Sequence, residues 1–402
     1  MAANPNSITA GIPALWAKQM QIIHHKSDVF RDIASFQEEA LLRVGDTVHK
    51  PYRNKLVVTN TGADGSFTRQ ALTQTDETLV INKDKNVSFY VKELDEIQNQ
   101  YDFVQEHATD GGILLSNSID ADVLAAGSLA ATNVVDNSYF GGSAGDAITL
   151  NTANIVRIFT GAGQLLDSNN IGLDGRFGVE SPQMKQVLIE ALAGRESILG
   201  DRVSERGRQG EYLNFMLNMS NSSLWTGELL IGTTPTDDDT VVINGVTFTF
   251  KTTLGSTAGN VLIEGSAANS IANLVALINA PSTTTSKGVA LTSADQIKMY
   301  NISAAGITGG IKVSAYGSSY IRVSDGLTAP ADVWTPARQI QHNLFGKKGS
   351  IDVAVQKSPR VEMRPRDGFI GHDIISWEAY GTKVFSDGAV ALVDVLVNSS
   401  SF

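Results

Sequence analysis

Apolar and polar residues alternate most strictly between Thr240 and Phe250, where the chain reads TVVINGVTFTF. Asn244-Gly245 at its centre suits the two positive φ angles of a type I′ turn, so the stretch predicts a tight β-hairpin. The surrounding residues share that texture. GNVLIEG, QIKMYNIS, GGIKVSAYG and SYIRVSD each predict a short strand. SAANSIANLVALINA predicts one amphipathic helix that turns Ile271, Leu274, Val275 and Ile278 inward. Pro235 with Asp237, Asp238 and Asp239 brackets the region on one side, and Pro330 with Pro336 on the other. The simplest organisation is a small α/β domain over residues 228–331, inserted at a surface loop where a host tolerates an added unit.

Outside that unit the pattern is helical and mixed. Leu15, Met20, Ile22, Ile23, Val29 and Phe30 fall at loosely helical spacing in an N-terminal arm, whose loss the host should tolerate less well than removal of the insertion. Residues 52–70 predict a short strand and then an exposed loop that reads as apolar-poor and rich in Gly, Asp and Asn. Residues 77–94 predict two strands, with Val87, Phe89 and Val91 alternating with Ser88, Tyr90 and Lys92. The longest helical pattern runs from about Asp95 to Ala131, with Val104, Ala108, Leu115, Ile119, Ala126 and Leu129 near one face. Gly111-Gly112 interrupts it, either as a kink or as a close packing contact. A helix of thirty-odd residues measures about 45–50 Å and suits an elongated or plate-like subunit.

Asn151 can cap a second helix with Ile155, Phe159 and Leu166 on a face. GRFGVESPQMKQVLIEAL reads as a strand, a Ser181 cap, Pro182 at the first helical position and a helix. ERGRQGEYLNFMLNMSNSSL reads as a Gly-marked turn before an apolar strand. At the far end IDVAVQ, RVEMRP, AYGTKVF and AVALVDVLV predict strands over 351–356, 360–365, 379–385 and 389–397. The whole reads as an α+β fold.

Composition narrows the function classes. Charged residues make up only 18% of the 402, below the usual quarter, so the surface relies on neutral polar groups, as is common where other chains later cover it. A formal charge of −11 argues against wrapping nucleic acid by phosphate neutralisation, although not against enclosing it at a distance. Without cysteine there is no disulfide frame, thiolate metal site or thiol nucleophile. The N-terminus has no basic n-region followed by an apolar h-region, and no apolar run is expected to reach the roughly 18 residues of a membrane span.

Chemical motifs are sparse. His24-His25 lacks a third ligand at metal spacing, and Asp237-Asp238-Asp239 lacks the alternating ligands of a calcium loop. GAGQLLDSNN reads as a helix-stop loop rather than a phosphate cradle. No GxxxxGK[ST] or HExxH motif occurs. Arg360, Arg364 and Arg366 alternate with Glu362 and Asp367, a pattern of salt bridges within or between subunits rather than of a nucleic-acid stripe. No catalytic constellation, metal or cofactor is expected.

Three stretches carry a resemblance to a known family: FYVKELDEIQNQYDF, LLDSNNIGLDGRFGVESPQMKQVL and VEMRPRDGFIGHDIISWEAYGTKVFSDGAVALVDVLV. In this order the chain resembles the major capsid proteins of tailed bacteriophages, with the Hong Kong ninety-seven type of fold. The resemblance implies an N-terminal arm over 1–51, an extended β-hairpin loop with peripheral-domain strands over 52–94, and a peripheral-domain spine helix over 95–131. It further implies an axial and peripheral α/β region over 132–227, an insertion domain over 228–331, and a C-terminal β-rich part of both domains over 332–402.

The function it implies is self-assembly into hexamers and pentamers of an icosahedral shell, located in the virion and assembled in the host bacterial cytoplasm. The shell encloses double-stranded DNA without sequence-specific binding and involves no membrane. Scaffolding, portal and decoration proteins would be further partners. Arg53, Lys55, Asp64, Arg69, Asp76, Glu77, Arg360, Arg364 and Arg366 would lie at subunit interfaces. Some family members crosslink a lysine to a neighbour's asparagine, and Lys50, Lys55 and Lys83 to Lys85 lie near the loop with nothing to mark one as reactive. An encapsulin-type compartment shell and a tail or adhesin protein remain as alternatives.

Overall fold

The computed structural model describes residues 25–37, 47–94, 103–193 and 210–399. Much of the expected arm and the start of the expected long helix lie outside them. A single helical turn at Phe30–Ile33 leads into β1 (Ser35–Gln37), followed by β2 (Thr47–Arg53), β3 (Gln74–Val80) and β4 (Lys83–Lys92). Then come α1 (Phe103–Ala130), β5 (Asn133–Val135), α2 (Ile155–Ser168), β6 (Arg176–Glu180) and α3 (Pro182–Ala193). Strands β7 (Glu211–Tyr212), β8 (Phe215–Met219) and β9 (Trp225–Leu230) lead to the hairpin β10 (Thr240–Ile243) and β11 (Val246–Lys251), and to β12 (Asn260–Leu262). Helices α4 (Ala267–Asn279) and α5 (Ser293–Lys298) precede β13 (Ile302–Ile307), β14 (Gly310–Ala315) and β15 (Val323–Gly326). The chain closes with β16 (Ile340–Lys347), β17 (Asp352–Pro365), β18 (Gly371–Lys383) and β19 (Leu392–Asn398).

Local signals explain many of these elements. Asn244 and Gly245 take φ of 50° and 73°, and Ile243 pairs with Val246, so the tight hairpin forms. Its alternation puts Val241, Ile243, Val246, Phe248 and Phe250 in the core. The Ser181 hydroxyl accepts from the Met184 N–H at 3.4 Å, ahead of Pro182 at the start of α3. Asn151 accepts from the Ala153 and Asn154 N–H groups in the turn that opens α2, and Ile155, Phe159 and Leu166 are fully buried. Ser266 caps α4 by accepting from the Asn269 N–H.

Four sheets result. A mixed nine-stranded sheet runs β13-β14-β9-β16-β6-β8-β7, with β19 on β16 and β5 on β19. A four-stranded sheet runs β1-β17-β18-β4, a second runs β12-β11-β10-β15, and β2 pairs with β3 alone. Helix α1 crosses from the first four-stranded sheet to the nine-stranded one. It runs unbroken through Gly111-Gly112, and Gly111 is a close packing contact: a Cβ there would lie 3.3 Å from Val87. Gly127 is tighter, since a Cβ would meet Leu344 at 2.5 Å and Ile351 at 2.8 Å. Ile119, Val123 and Leu124 join Leu344, Val353 and Tyr380 in the core beneath the helix.

Several expectations need correction. Leu115 and Ile119 are buried, but Leu129 is 62% exposed, because Gly127 and Ser128 occupy the buried side of the last turn. The glycines of GAGQLLDSNN lie inside α2, where Gly161 makes room for Tyr139. QIKMYNIS begins as helix, since Thr292 caps α5 by accepting from the Asp295 N–H. The two strands expected at 351–365 are one, β17, interrupted only by register shifts between Val355 and Arg360. Within α1, Gln105–Ala130 is long and apolar enough to cross a membrane by length and composition, and half of its most apolar window is buried inside the protein, as in a core helix.

The region over 228–331 shares its framework with the rest of the chain. Strand β9 spans residue 228, pairing with β14 on one side and with β16 through Ile340↔Thr226 and Gln341↔Trp225 on the other. Its apolar core also draws in Trp225 and Trp334 from either side of the region.

Candidate assembly surfaces

Two hairpin arms leave the β1-β17-β18-β4 sheet. The first is β2–β3, in which Lys50 stands opposite Glu77. Its base is tied to the body. Lys50 Nζ contacts Asp352 at 3.0 Å and sits 4.7 Å from the centre of the Phe385 ring. Burial works against the Lys50 charge, but Asp352 and Asp387 outweigh it and hold the ammonium above its usual range. Glu77 accepts from the Ser386 N–H at 3.0 Å and from its hydroxyl, which holds its carboxyl below the usual range. Lys383 Nζ donates to the Thr78 carbonyl at 2.7 Å, and Leu79 packs with Ala354 and Phe385.

Beyond this base, residues 54–73 form a loop whose every residue except Asn54 is exposed. The expectation that it is apolar-poor fails. Leu56, Val57, Val58, Phe67 and Leu72 are 59–97% exposed, with Val58 at the upper limit. The loop is shaped by its own polar groups. Asp64 accepts from the Ser66 N–H and hydroxyl at 3.1 and 2.6 Å, Asn54 accepts from the Thr73 N–H, and Arg69 lies over Phe67 at 5.8 Å. Arg53 and Lys55 are exposed at the junction of strand and loop, and Asp76 contacts His49 at 2.6 Å.

The second arm is the far half of β17–β18, where Arg360 to Pro365 pair with His372 to Trp377. Val361, Met363, Phe369 and Ile370 are 52–74% exposed here. Glu362 accepts from Arg364 at 2.6 Å and from Lys357 at 3.2 Å. Among the described residues Arg366 makes no such bridge, and it stacks between Tyr90 at 4.8 Å and Phe369 at 4.5 Å. The Tyr90 hydroxyl donates to the Ile370 carbonyl at 2.9 Å, and Arg360 is exposed on β17. The structure therefore sorts the nine interface candidates into two groups. Arg53, Lys55, Asp64, Arg69, Asp76 and Glu77 belong to the first arm, and Arg360, Arg364 and Arg366 to the second. Strand β18 separates the arms, with Lys383 at the base of the first and Gly371 at the tip of the second, on the order of 40 Å of extended chain.

The candidate chemical motifs resolve as structural groups. His25 contacts Asp110 at 2.9 Å, and His24 lies outside the described residues. Asp239 accepts from the Thr236 and Thr328 N–H groups, and Asp237 from the Thr252 N–H, so the acidic run organises a turn. Among the described residues no three His, Cys, Asp or Glu side chains converge as metal ligands. Lys83 and Lys85 are not loop residues but bind Asp122 beneath α1.

One constellation escaped the sequence. Thr226 Oγ1 lies 3.0 Å from His342 Nε2, and His342 Nδ1 lies 2.7 Å from Asp394 Oδ2. The order is that of an acyl-transfer triad. All three are buried and sit on β9, β16 and β19, so they join three strands and lack substrate access. Buried acids were also missed. Asp120 accepts from the Val29 and Phe30 N–H groups at 3.0 and 2.9 Å, and burial pushes its carboxyl up to about 6. No short-range sequence pattern announces such contacts, because their partners lie 52 to 116 residues away.

No protein-family model matches the chain, and no curated protein matches it. Solved structures do. A chain from Mycobacterium phage Che8 is 14% identical, with 96% of this chain and 98% of that one covered at a TM-score of 0.57. A chain in the capsid structure of cyanophage P-SCSP1u is 12% identical over 99% and 96%, at 0.58. A chain in the capsid asymmetric unit of cyanophage Pam1 is 11% identical over 100% of both, at 0.54. At these identities the likeness is one of fold, and it extends over the whole chain.

Proposed function

We propose that this chain is the major capsid protein of a tailed bacteriophage, with the Hong Kong ninety-seven type of fold. The observation that carries the reading is the full-length fold likeness to chains of phage capsids. The two arms supply a physical reason. Monomeric proteins rarely leave large contiguous apolar patches in water, and here such residues concentrate on two projecting hairpins. Neighbouring subunits would cover them. Each contact is modest, but closed symmetric assembly repeats it around every capsomer and across the shell.

In this reading residues 1–51 are the N-terminal arm, and 52–94 hold the extended loop that reaches over a neighbour. Residues 95–131 carry the spine helix, 132–227 and 332–402 build the axial and peripheral domains, and 228–331 are the insertion domain. The nine charged residues of the two arms lie at subunit contacts. Hexamers and pentamers enclose double-stranded DNA within the virion after assembly in the bacterial cytoplasm. A wall of net charge −11 per subunit attracts DNA weakly and without sequence preference. Electron microscopy of the purified protein tests the assignment. Closed icosahedral shells are the expected result. Rods, or subunits that stay monomeric at every concentration, would overturn it.

A further inference from the structure

The contact between α1 and the β1-β17-β18-β4 sheet is polar at its centre. Lys83 and Lys85 of β4 stand across the ladder from Tyr380 and Glu378 of β18, beneath Ser118 and Asp122 of α1. One oxygen of Asp122 serves three donors: Lys83 Nζ and Lys85 Nζ at 3.0 Å each, and the Tyr380 hydroxyl at 2.5 Å. Lys85 also donates to Ser118 Oγ at 2.6 Å. Directly opposite Lys85, Glu378 is fully buried, and among the described residues neither of its carboxyl oxygens has a hydrogen-bond partner. One carboxyl is thus crowded with donors while its neighbour has none.

We propose that Lys85 is a two-position clamp between helix and sheet, bound to Asp122 and Ser118 while Glu378 is protonated and drawn to Glu378 when that carboxyl ionises. A buried carboxylate without partners is strongly unfavourable, so Glu378 stays neutral until a cation turns to it. Burial pushes it up to about 8, against the pull of Lys85 and with the Asp122 charge adding to the effect. Burial would also raise Asp122, but the Tyr380 hydroxyl and the two ammoniums outweigh it and hold that carboxyl below the usual range.

The exchange is local and balanced. Once Lys85 leaves, Asp122 keeps Lys83 and Tyr380, and ionised Glu378 gains the donor it lacks. Lys85 and Ser118 line an open cleft of about 700 Å³ between α1, β4 and the turns beside α5 and β14, so the side chain has room to swing and water reaches the site. The other cations near the site are engaged elsewhere or exposed. In the cleft, His25 contacts Asp110, Lys26 donates to the Gly317 carbonyl, and Lys298 pairs with Asp295. On β17, Lys357 lies over Trp377 and bridges Glu362, and Arg360 is exposed. Moving Lys85 removes the Ser118 contact and one of three donors on Asp122, which loosens the middle of α1. The contacts at Gly111 and Gly127 on either side remain.

Hydrogen exchange of the α1 amides around Ser118 and Asp122, corrected for the intrinsic pH dependence, tests the clamp. In the intact subunit, protection should fall as pH rises towards about 8, approaching tenfold per unit for linkage to one proton. Glu378→Gln mimics the neutral acid and should abolish that slope while keeping the low-pH protection. Difference infrared spectra of wild type minus the variant should contain a protonated-carboxyl band that vanishes over the same pH range. A slope unchanged in Glu378→Gln, a flat wild-type profile, or no such band at neutral pH would each overturn the proposal.

Discussion

Glu180 should make the subunit measurably less stable as the medium turns from acid to mildly alkaline. The residue ends β6, is 1% exposed, and leaves Oε1 without a partner. Burial pushes its carboxyl up to about 8 from the ordinary 4.5, with Lys185 only partly opposing. The folded chain therefore holds this proton more tightly than the unfolded chain does. Its contribution is greatest below the unfolded value and is lost as pH rises through the folded one.

The full shift would correspond to roughly 5 kcal/mol at 1.36 kcal/mol per unit, of which about 3 kcal/mol is lost between pH 5 and 8. Glu180→Gln removes the titration and keeps the shape, at about 1 kcal/mol for any amide hydrogen bond left unmade. The variant should match or fall slightly below wild type at about pH 5 and exceed it by about 2–3 kcal/mol at about pH 8. Urea unfolding of soluble subunits at several pH values reads this as a widening gap between midpoints. Parallel midpoint curves for the two proteins would refute the argument, because they would mean that the buried carboxyl finds water or a cation in the folded chain.

The remaining predictions concern packing and the arms. Gly127→Val forces a side chain into Leu344 and Ile351, and should cost about 1–3 kcal/mol by overpacking; a wild-type thermal midpoint would contradict the tight crossing. Joining Gly227 directly to Asp332 should yield aggregated protein, since the cut removes half of β9 and uncovers Trp225 and Trp334; a soluble, cooperatively unfolding product would restore the view of the insertion as a passenger. Phe67→Asp should block shell formation while subunit stability changes by no more than about 0.5 kcal/mol, and a matched loss of both would move Phe67 into the subunit core. Glu77→Lys should lower the subunit's own thermal midpoint as well as assembly, because it unties Ser386 from the first arm; an unchanged midpoint would show that the tie contributes nothing.

Local chemistry was legible in the sequence wherever the deciding interactions lie within a few residues. Asn244-Gly245 determines its turn through backbone sterics, Ser181-Pro182 starts α3 through capping and a preset φ, and Ile271, Leu274, Val275 and Ile278 mark the inner face of α4 through period alone. The nine candidate residues of the arms were visible as charge, but their partners were not. Whether Glu77 meets a neighbouring subunit or Ser386, 309 positions away, depends on the fold. The tertiary structure alone decided that β17 is one long strand and that β9 joins β14 to β16 within one nine-stranded sheet. It alone turned Gly111 and Gly127 into helix–sheet contacts. It also brought Thr226, His342 and Asp394 together, and among the described residues it left both carboxyl oxygens of Glu378 and one of Glu180 buried without a partner. Each of these outcomes depends on which distant backbone fills the space beside a residue, and sequence periodicity, which reports only the direction a side chain faces, carries no record of that neighbour.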